Sequence, residues 1–293
     1  MLESSTLLPV LLALASALLF AFGDQFQNQG LAYLDSRAGA AISIGASTLF
    51  FLALTPWWLD LDALFHPAVL IFALIGLFRP SLSINLALAG MRHMGPTLAT
   101  TLTSTSPLFA TAMGLLWLGE ALTVETGVGT LVIVVAIMIL AKRDGGAQSD
   151  WPVWALLLPL GAALIRSGGH VLSKFGMNHV PDPYLASLVT FAVSAVITTA
   201  IHRLRRDGAP VAWYGPGVGW FVAAGFLFSL AVMALNGALL LGTVVQVVPL
   251  VSASPIFIML MSVFVFRRER ITPRTFAVVF MVVPAVMLIA LAG

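Results

Sequence analysis

Three basic residues lie at four-residue intervals within one apolar stretch of the chain: Arg166, His170 and Lys174. Residues at i, i+4 and i+8 share one face of an α-helix, so the spacing predicts a stripe of positive charge. Arginine binds carboxylates and phosphates through paired hydrogen bonds, and histidine can gain or lose a proton near neutral pH. The stripe therefore predicts a site that binds an anionic group.

Two more ionisable residues, Asp24 and Arg79, interrupt apolar stretches elsewhere. Together with Arg166 they give two arginines against one aspartate, a net positive set that favours a carboxylate or phosphate. An amino acid would fit, with its carboxylate on arginine and its ammonium on Asp24. A structural alternative stays open, in which Asp24 pairs with an arginine to hold two helices together and His170 bonds a nearby backbone group. Proton coupling through Asp24 or His170 is also left open.

The elements that carry these residues are predicted to be transmembrane helices. Hydrophobic residues make up 60% of the 293 positions and charged residues 9%, whereas soluble domains have about 25% charged residues. A membrane span needs about 20 mostly apolar residues. Ten stretches qualify, approximately 7–32, 37–58, 67–91, 95–118, 124–141, 153–178, 183–202, 215–241, 244–266 and 273–292. The fold predicted is all-α, with ten transmembrane helices.

Basic residues are distributed on one side of these predicted spans. Eleven of the 14 lysines and arginines follow odd-numbered spans: Arg37, Arg92, Lys142, Arg143, Arg203, Arg205, Arg206, Arg267, Arg268, Arg270 and Arg274. Because positive loops stay in the cytoplasm, the pattern predicts cytoplasmic odd loops and both termini outside. We expect a multi-pass protein of the plasma (inner) membrane.

The two halves of the chain resemble each other. ASALLFAFGDQFQNQGL begins at Ala15, and GAALIRSGGHVLSKFGM begins 146 residues later. STSPLF and SASPIF place Pro107 and Pro255 148 positions apart, and a glutamate follows each, Glu120 and Glu269. This order predicts two five-helix repeats, residues 1–145 and 150–293. Since five is odd, the copies would cross the membrane in opposite senses around a central cavity, as in many alternating-access transporters.

The repeat extends the set of candidate binding residues. Shifting the basic stripe back by 146 positions gives Phe20, Asp24 and Asn28 in the first span. The full set predicted to contact substrate is Phe20, Asp24, Asn28, Phe78, Arg79, Ser83, Asn85, Thr101, Ser104, Arg166, His170, Asn236 and Ser252. Pro107 and Pro255 are predicted hinges or gates, because proline frees a carbonyl one turn upstream. Lys174 is expected to reach the interface, and Glu120 to cap or stabilise a loop.

Ten spans, SxSP in spans 4 and 9, a glutamate after each and LSKFGM at the end of span 6 resemble the EamA-type transporters of the drug/metabolite superfamily. The resemblance covers essentially the whole chain. It points to the ten-helix, YddG-like branch of exporters and implies inverted repeats around a central cavity, with export of small metabolites. One departure is that such exporters have cytoplasmic termini, opposite to the charge pattern here.

These observations predict a secondary transporter, in the export direction by resemblance, of small metabolites such as amino acids. Its partners would be a small anionic or zwitterionic substrate and the lipid bilayer, with no cofactor and no nucleic acid, and a monomer would suffice. A lipid scramblase or an ion channel is the alternative. The chain has no cysteine, HExxH, GxSxG or Walker motif and no paired carboxylates, which argues against an enzyme.

Overall fold

The computed structural model describes residues 4–79, 81–94, 96–141, 152–204, 215–264 and 273–291. All regular elements in these ranges are helical. They are α1 (Ser4–Gly30), α2 (Ser36–Trp58), α3 (Leu61–Leu64), α4 (Val69–Phe78), α5 (Ser81–Met94), α6 (Pro96–Thr103), α7 (Ser106–Leu118), α8 (Val124–Ala141), a 3₁₀ turn (Val153–Leu156), α9 (Leu157–Met177), α10 (Pro183–Leu204), α11 (Pro216–Leu241), α12 (Val244–Val251), α13 (Ser254–Phe264) and α14 (Pro273–Leu291).

Within the described ranges, six helical segments are long and apolar enough to cross a membrane: Leu7–Gly30, Ala38–Trp58, Val153–Met177, Pro183–Ile201, Gly217–Leu241 and Val244–Met261. Shorter apolar helices are Val69–Phe78, Val124–Ile139 and Ala277–Leu291. Helix is therefore present in each stretch where a span was predicted. The count of ten spans stays a prediction, because several of these stretches hold only short or interrupted helices.

Proline interrupts two of the predicted spans at matching places. Pro107 lies in the first turn of α7, and Pro255 lies in the first turn of α13. A proline ring clashes with the carbonyl four residues upstream and cannot donate to it. The preceding helices end at those residues, α6 at Thr103 and α12 at Val251. A third interruption, between α4 and α5, falls at Arg79, whose backbone is extended.

Helices of one half pack mainly against helices of the other. The first helix, α1, packs against α11, α12 and α13, and its counterpart α9 packs against α4, α5, α6 and α7. Likewise α2 packs on α11 as α10 packs on α4, while α8 packs on α14. Exchanging each predicted span with the one five later leaves these pairings unchanged. The halves therefore interlock in a symmetrical way.

Hydroxyl groups make the same hydrogen bonds in both halves. On α2, Ser43 and Ser47 donate to the carbonyls of Phe221 and Gly225, at 2.9 and 2.7 Å. On α10, Thr190 donates to the carbonyl of Phe72 at 3.3 Å, and Ser194 donates to that of Gly76 at 3.0 Å.

The donors in these two pairs are 147 positions apart and the acceptors 149. The offset agrees with that of the sequence repeat, although none of these residues belongs to the motifs that revealed it. Small residues and hydroxyls are the groups that let membrane helices approach closely.

Close approach here depends on a glycine in each pair. A Cβ on Gly76 would lie 2.7 Å from the Thr190 carbonyl oxygen, and one on Gly225 would collide with the Ser43 carbonyl oxygen. We expect Gly225→Ala to lower the thermal unfolding temperature of the detergent-purified protein, since forcing a methyl group into packed backbone costs about 1–3 kcal/mol.

Gly219→Ala is the matched control on the same helix, because a Cβ there meets nothing within 4 Å. It should be neutral or stabilising, as alanine favours helix over glycine. Equal effects of the two substitutions would contradict the close contact between α2 and α11.

Candidate functional site

The basic stripe of α9 is exposed at its first residue and buried one turn later. Arg166 is exposed, His170 is 6% exposed, and Ser173 in the next turn is 7% exposed. Lys174 ends the stripe with its ammonium bound to backbone oxygens of Leu239, Leu240 and Gly242, at 2.6, 3.3 and 3.0 Å. Lys174 therefore caps α11, which differs from the expected extension to the interface.

Arg79 reaches this stripe from the interruption between α4 and α5. Its side chain lies on Gly169, where an added Cβ would be 2.6 Å from the Arg79 Cδ. Ser194 of α10 lies within hydrogen-bonding distance of the Arg79 carbonyl, at 2.6 Å, and so holds the end of α4. Arg79 interacts electrostatically with both Arg166 and His170. The break in the helix thus brings a second arginine to the first.

Asp24 approaches the arginines from α1. It is partly exposed and interacts electrostatically with Arg166. Within the described ranges no hydrogen bond or direct ion pair joins its carboxylate to another side chain. The structure thus brings four predicted residues together, and the positive charge of the arginine pair is only partly offset.

Helix α7 fixes α9 beside the arginines. The Ser106 and Ser167 hydroxyls are 3.0 Å apart, and the Ser167 hydroxyl lies 2.6 Å from the Ser106 carbonyl. Ser106 opens α7 at the proline break, and Ser167 directly follows Arg166. The break in the fourth predicted span is therefore in contact with the charged face.

The two ends of the molecule differ in how tightly they are packed. Helices α1 and α11 are antiparallel, since Gly242 lies beside Pro9 and Gly217 beside Tyr33. We call the end at which Lys174 binds the close of α11 the clamp end, and the opposite one, reached by the last turns of α1, the Asn28 end. Along α1, exposure rises from the partly exposed Asp24 to the exposed Asn28.

The helices that precede the two proline breaks, α12 and α6, also differ in how fully they are buried. All eight residues of α12, which leads from the clamp end, are buried. In α6, which leads from the Asn28 end, Thr101, Leu102 and Thr103 are partly exposed. Ser106 and Pro107 are buried, while their counterparts Ser254 and Pro255 are partly exposed. The packing is therefore looser from the Asn28 end down to Arg166 than around His170 and the clamp end, and we call this looser region the cleft.

Other predicted residues lie in different surroundings. Asn236 is 5% exposed, and its amide accepts from Ser173 and donates to Ser187, both at 2.9 Å. Ser83 donates to the Ala162 carbonyl at 3.2 Å. Both side chains hold helices together in this conformation.

Of the remaining predicted residues, Phe78 is 42% exposed at the end of α4. Thr101, Ser104 and Ser252 are partly exposed at or beside the helix breaks. The side chain of Asn85 and the whole of Glu269 lie outside the described residues. Among the residues described, no group of His, Asp or Glu is placed to hold a metal ion.

One residue near the site was not predicted, Phe228 of α11. Its ring lies on Gly23, where a Cβ would collide with it, and 6.0 Å from the ring of Phe20. Gly23 and Gly169 are 146 positions apart, and Phe228 and Arg79 are 149 apart. Phe228 is therefore the counterpart of Arg79, as Phe20 is of Arg166. Extending the comparison of the two repeats beyond their shared sequence motifs would have identified Phe228.

A separate groove of about 670 Å³ lies between α1 and α11, with lining residues that include Phe22, Phe26 and Phe226. All its lining residues are apolar or glycine, and it contains none of the charged residues. Apolar side chains at the outside of membrane helices face lipid. The groove is therefore not the candidate site.

Exposure of Arg166 predicts water in the cleft. The chain has no cysteine, so a single Arg166→Cys substitution reports on that position alone. We expect this cysteine to react readily with a charged maleimide in proteoliposomes, since the thiolate is the nucleophile that attacks the maleimide and the thiolate forms in water. Leu164→Cys is the control, because Leu164 is also exposed, at 45%, but lies on the opposite face of α9. Reaction at position 164 but not at 166 would place the arginine stripe in lipid.

The comparisons with known proteins agree with the organisation of the chain in two repeats. The sequence pattern of the EamA-like transporter family matches the chain twice, at residues 7–142 and 153–291. A crystal structure of another protein superposes with a TM-score of 0.81, covering 100% of this chain and 98% of the other at 18% identity. That similarity shows a shared fold. No curated protein matches the chain significantly. With both halves matched, the chain belongs to the EamA-like transporter family.

Proposed function

We propose that this protein is a secondary transporter of small anionic or zwitterionic metabolites, such as amino acids, working by alternating access between its halves. The observation that carries the proposal is the position of Arg79, Arg166 and Asp24 at the foot of an open cleft, beside interrupted helices. Transporters of many folds bind their substrates near the membrane midplane where helices are broken. Export from the cytoplasm is the direction that the family resemblance favours.

The charges explain why an anionic group would bind. Arg79 and Arg166 repel each other, and Asp24 forms no direct ion pair with either in the described structure. A carboxylate between the guanidinium groups would relieve that repulsion and accept paired hydrogen bonds from them. The ammonium of an amino acid would then find Asp24 as its partner. Phe20 and Phe228, the counterparts of the arginines, would leave an apolar surface for a side chain.

The unequal ends support alternating access. Matching helix pairs and matching hydroxyl contacts recur in both halves, yet the clamp end is packed and the Asn28 end is open. Repeats that differ in conformation can exchange those conformations, which would open the clamp end and close the other. With the predicted orientation, the open end faces the cytoplasm.

A transport assay with amino acids tests the proposal. Proteoliposomes loaded with a mixture of unlabelled L-amino acids are given labelled glutamate, alanine or phenylalanine outside, and counterflow is followed with time. We expect saturable uptake of at least one of the three. Arg166→Ala and Arg79→Ala should each abolish it, because removing a charged partner of a bound carboxylate costs several kcal/mol.

Arg92→Ala is the control for loss of a positive charge, since Arg92 is exposed in the last turn of α5, about three helical turns from Arg79. It should leave uptake unchanged, and all variants should keep the elution profile of folded protein. Uptake that is unaffected by both cleft substitutions would refute the site. Non-saturable ion currents or lipid scrambling by the same vesicles, without amino acid exchange, would favour the channel or scramblase.

A further inference from the structure

Lys174 and Glu120 bind the same turn from two sides. The Lys174 ammonium donates to the last carbonyls of α11, and the Glu120 carboxylate accepts from the first amides of α12, those of Val244 and Val245, at 2.8 and 2.9 Å. Lysine at a helix C-terminus and glutamate at an N-terminus also complement the helix dipoles. The predicted capping role of Glu120 is confirmed, and its target is a helix of the other half.

The two bonds of Glu120 cross the boundary between the halves. Glu120 follows α7 in the first half, whereas Lys174 and the α11–α12 turn belong to the second. The Glu120 carboxylate also interacts electrostatically with Lys174. For the clamp end to open, α7 must separate from α12, and the two bonds of Glu120 must break. Hydrogen bonds to charged groups are about twice as strong as neutral ones, so this contact is costly to lose.

The Asn28 end lacks half of this arrangement. By the repeat offset, Glu269 is the counterpart of Glu120, but the counterpart of Lys174 is the uncharged Asn28. Asn28 is exposed and makes no hydrogen bond in the described structure, whereas Lys174 makes three. An asparagine can neither attract a carboxylate by charge nor bind three carbonyls with an ammonium.

We infer that Lys174 and Glu120 form a latch that holds the clamp end closed, and that the lack of a lysine at the matching position, Asn28, makes the cleft-open conformation the resting state. Lys174 acts as a positioning residue: it holds the turn and the carboxylate that together join α7 to α12. The inference rests on the alternating access proposed above, and it concerns the balance between the two conformations. A ligand or a substitution shifts such a balance only by acting differently on the two states.

Accessibility of a central cysteine measures that balance without any substrate. Ser252 is a suitable reporter, because it lies partly exposed at the α12–α13 break and its hydroxyl has no hydrogen-bond partner in the described structure. In membrane vesicles of each orientation, a charged, membrane-impermeant thiol reagent is applied to the outer face of Ser252→Cys protein. We expect reaction from the Asn28 end only.

Lys174→Met in that background should make the reporter react about tenfold faster from the clamp end, as loss of a charged hydrogen-bonding partner shifts the population towards the other state. Glu120→Gln should act in the same direction. Lys174→Arg should restore the original sidedness, since arginine keeps the charge and the donors. Asn28→Lys should slow reaction from the Asn28 end.

A purely structural role gives a different result: Lys174→Met would lower the unfolding temperature while sidedness stayed as in the parent, and that outcome would overturn the inference. Failure of amino acid counterflow with the expected change of sidedness would instead overturn the proposed substrate and leave the latch intact. Reaction of the parent reporter from both ends at equal rates would refute a closed clamp end.

Discussion

The central constraint on this structure is that charge within a membrane must be hydrated or paired. Burying an ionised side chain in hydrocarbon costs several kcal/mol. Arg166 and Arg79 lie together, with Asp24 as a partial counter-charge, so this pair is stable only where water or an anionic solute can reach it. The cleft from the Asn28 end provides that access. Burying the two guanidinium groups in a packed apolar interior would cost more free energy than leaving them in contact with water.

Broken helices and paired halves are the means by which the protein builds that cleft. Pro107 and Pro255 end the helices that precede them, which frees backbone groups near the charged side chains. Interrupted backbone is tolerated at membrane depth where it lines a cavity or is buried in protein. Around it, serine and threonine hydroxyls bind carbonyls across glycine contacts, and they do so in both halves. The packing is thus rigid at the periphery and interrupted at the centre.

Departures from the repeat are as informative as the repeat itself. Phe20 is the counterpart of Arg166 in the first half, and Phe228 is the counterpart of Arg79 in the second, so one side of the cleft is basic and the other aromatic. By the repeat offset, His170 is the counterpart of Asp24, and Lys174 is the counterpart of Asn28. A perfectly symmetrical chain would have two equal ends and two equal walls. Chemical differences at equivalent positions make the two sides of the cleft and the two ends of the molecule unlike.

Hydropathy, repeat offset and spacing act along the chain, and for that reason the sequence by itself determined the membrane class, the duplication and the charged stripe. The sequence did not determine how many spans are continuous helices, because the hydropathy of a stretch such as 95–118 does not reveal that its helix is interrupted. The sequence did not predict which side chains bind one another across different helices. Lys174 binds carbonyls 65 to 68 positions away, and the Asn236 amide is hydrogen-bonded to Ser173 and Ser187. Only the tertiary structure could decide which polar groups face the cleft and which hold helices together, because that depends on which distant surfaces meet.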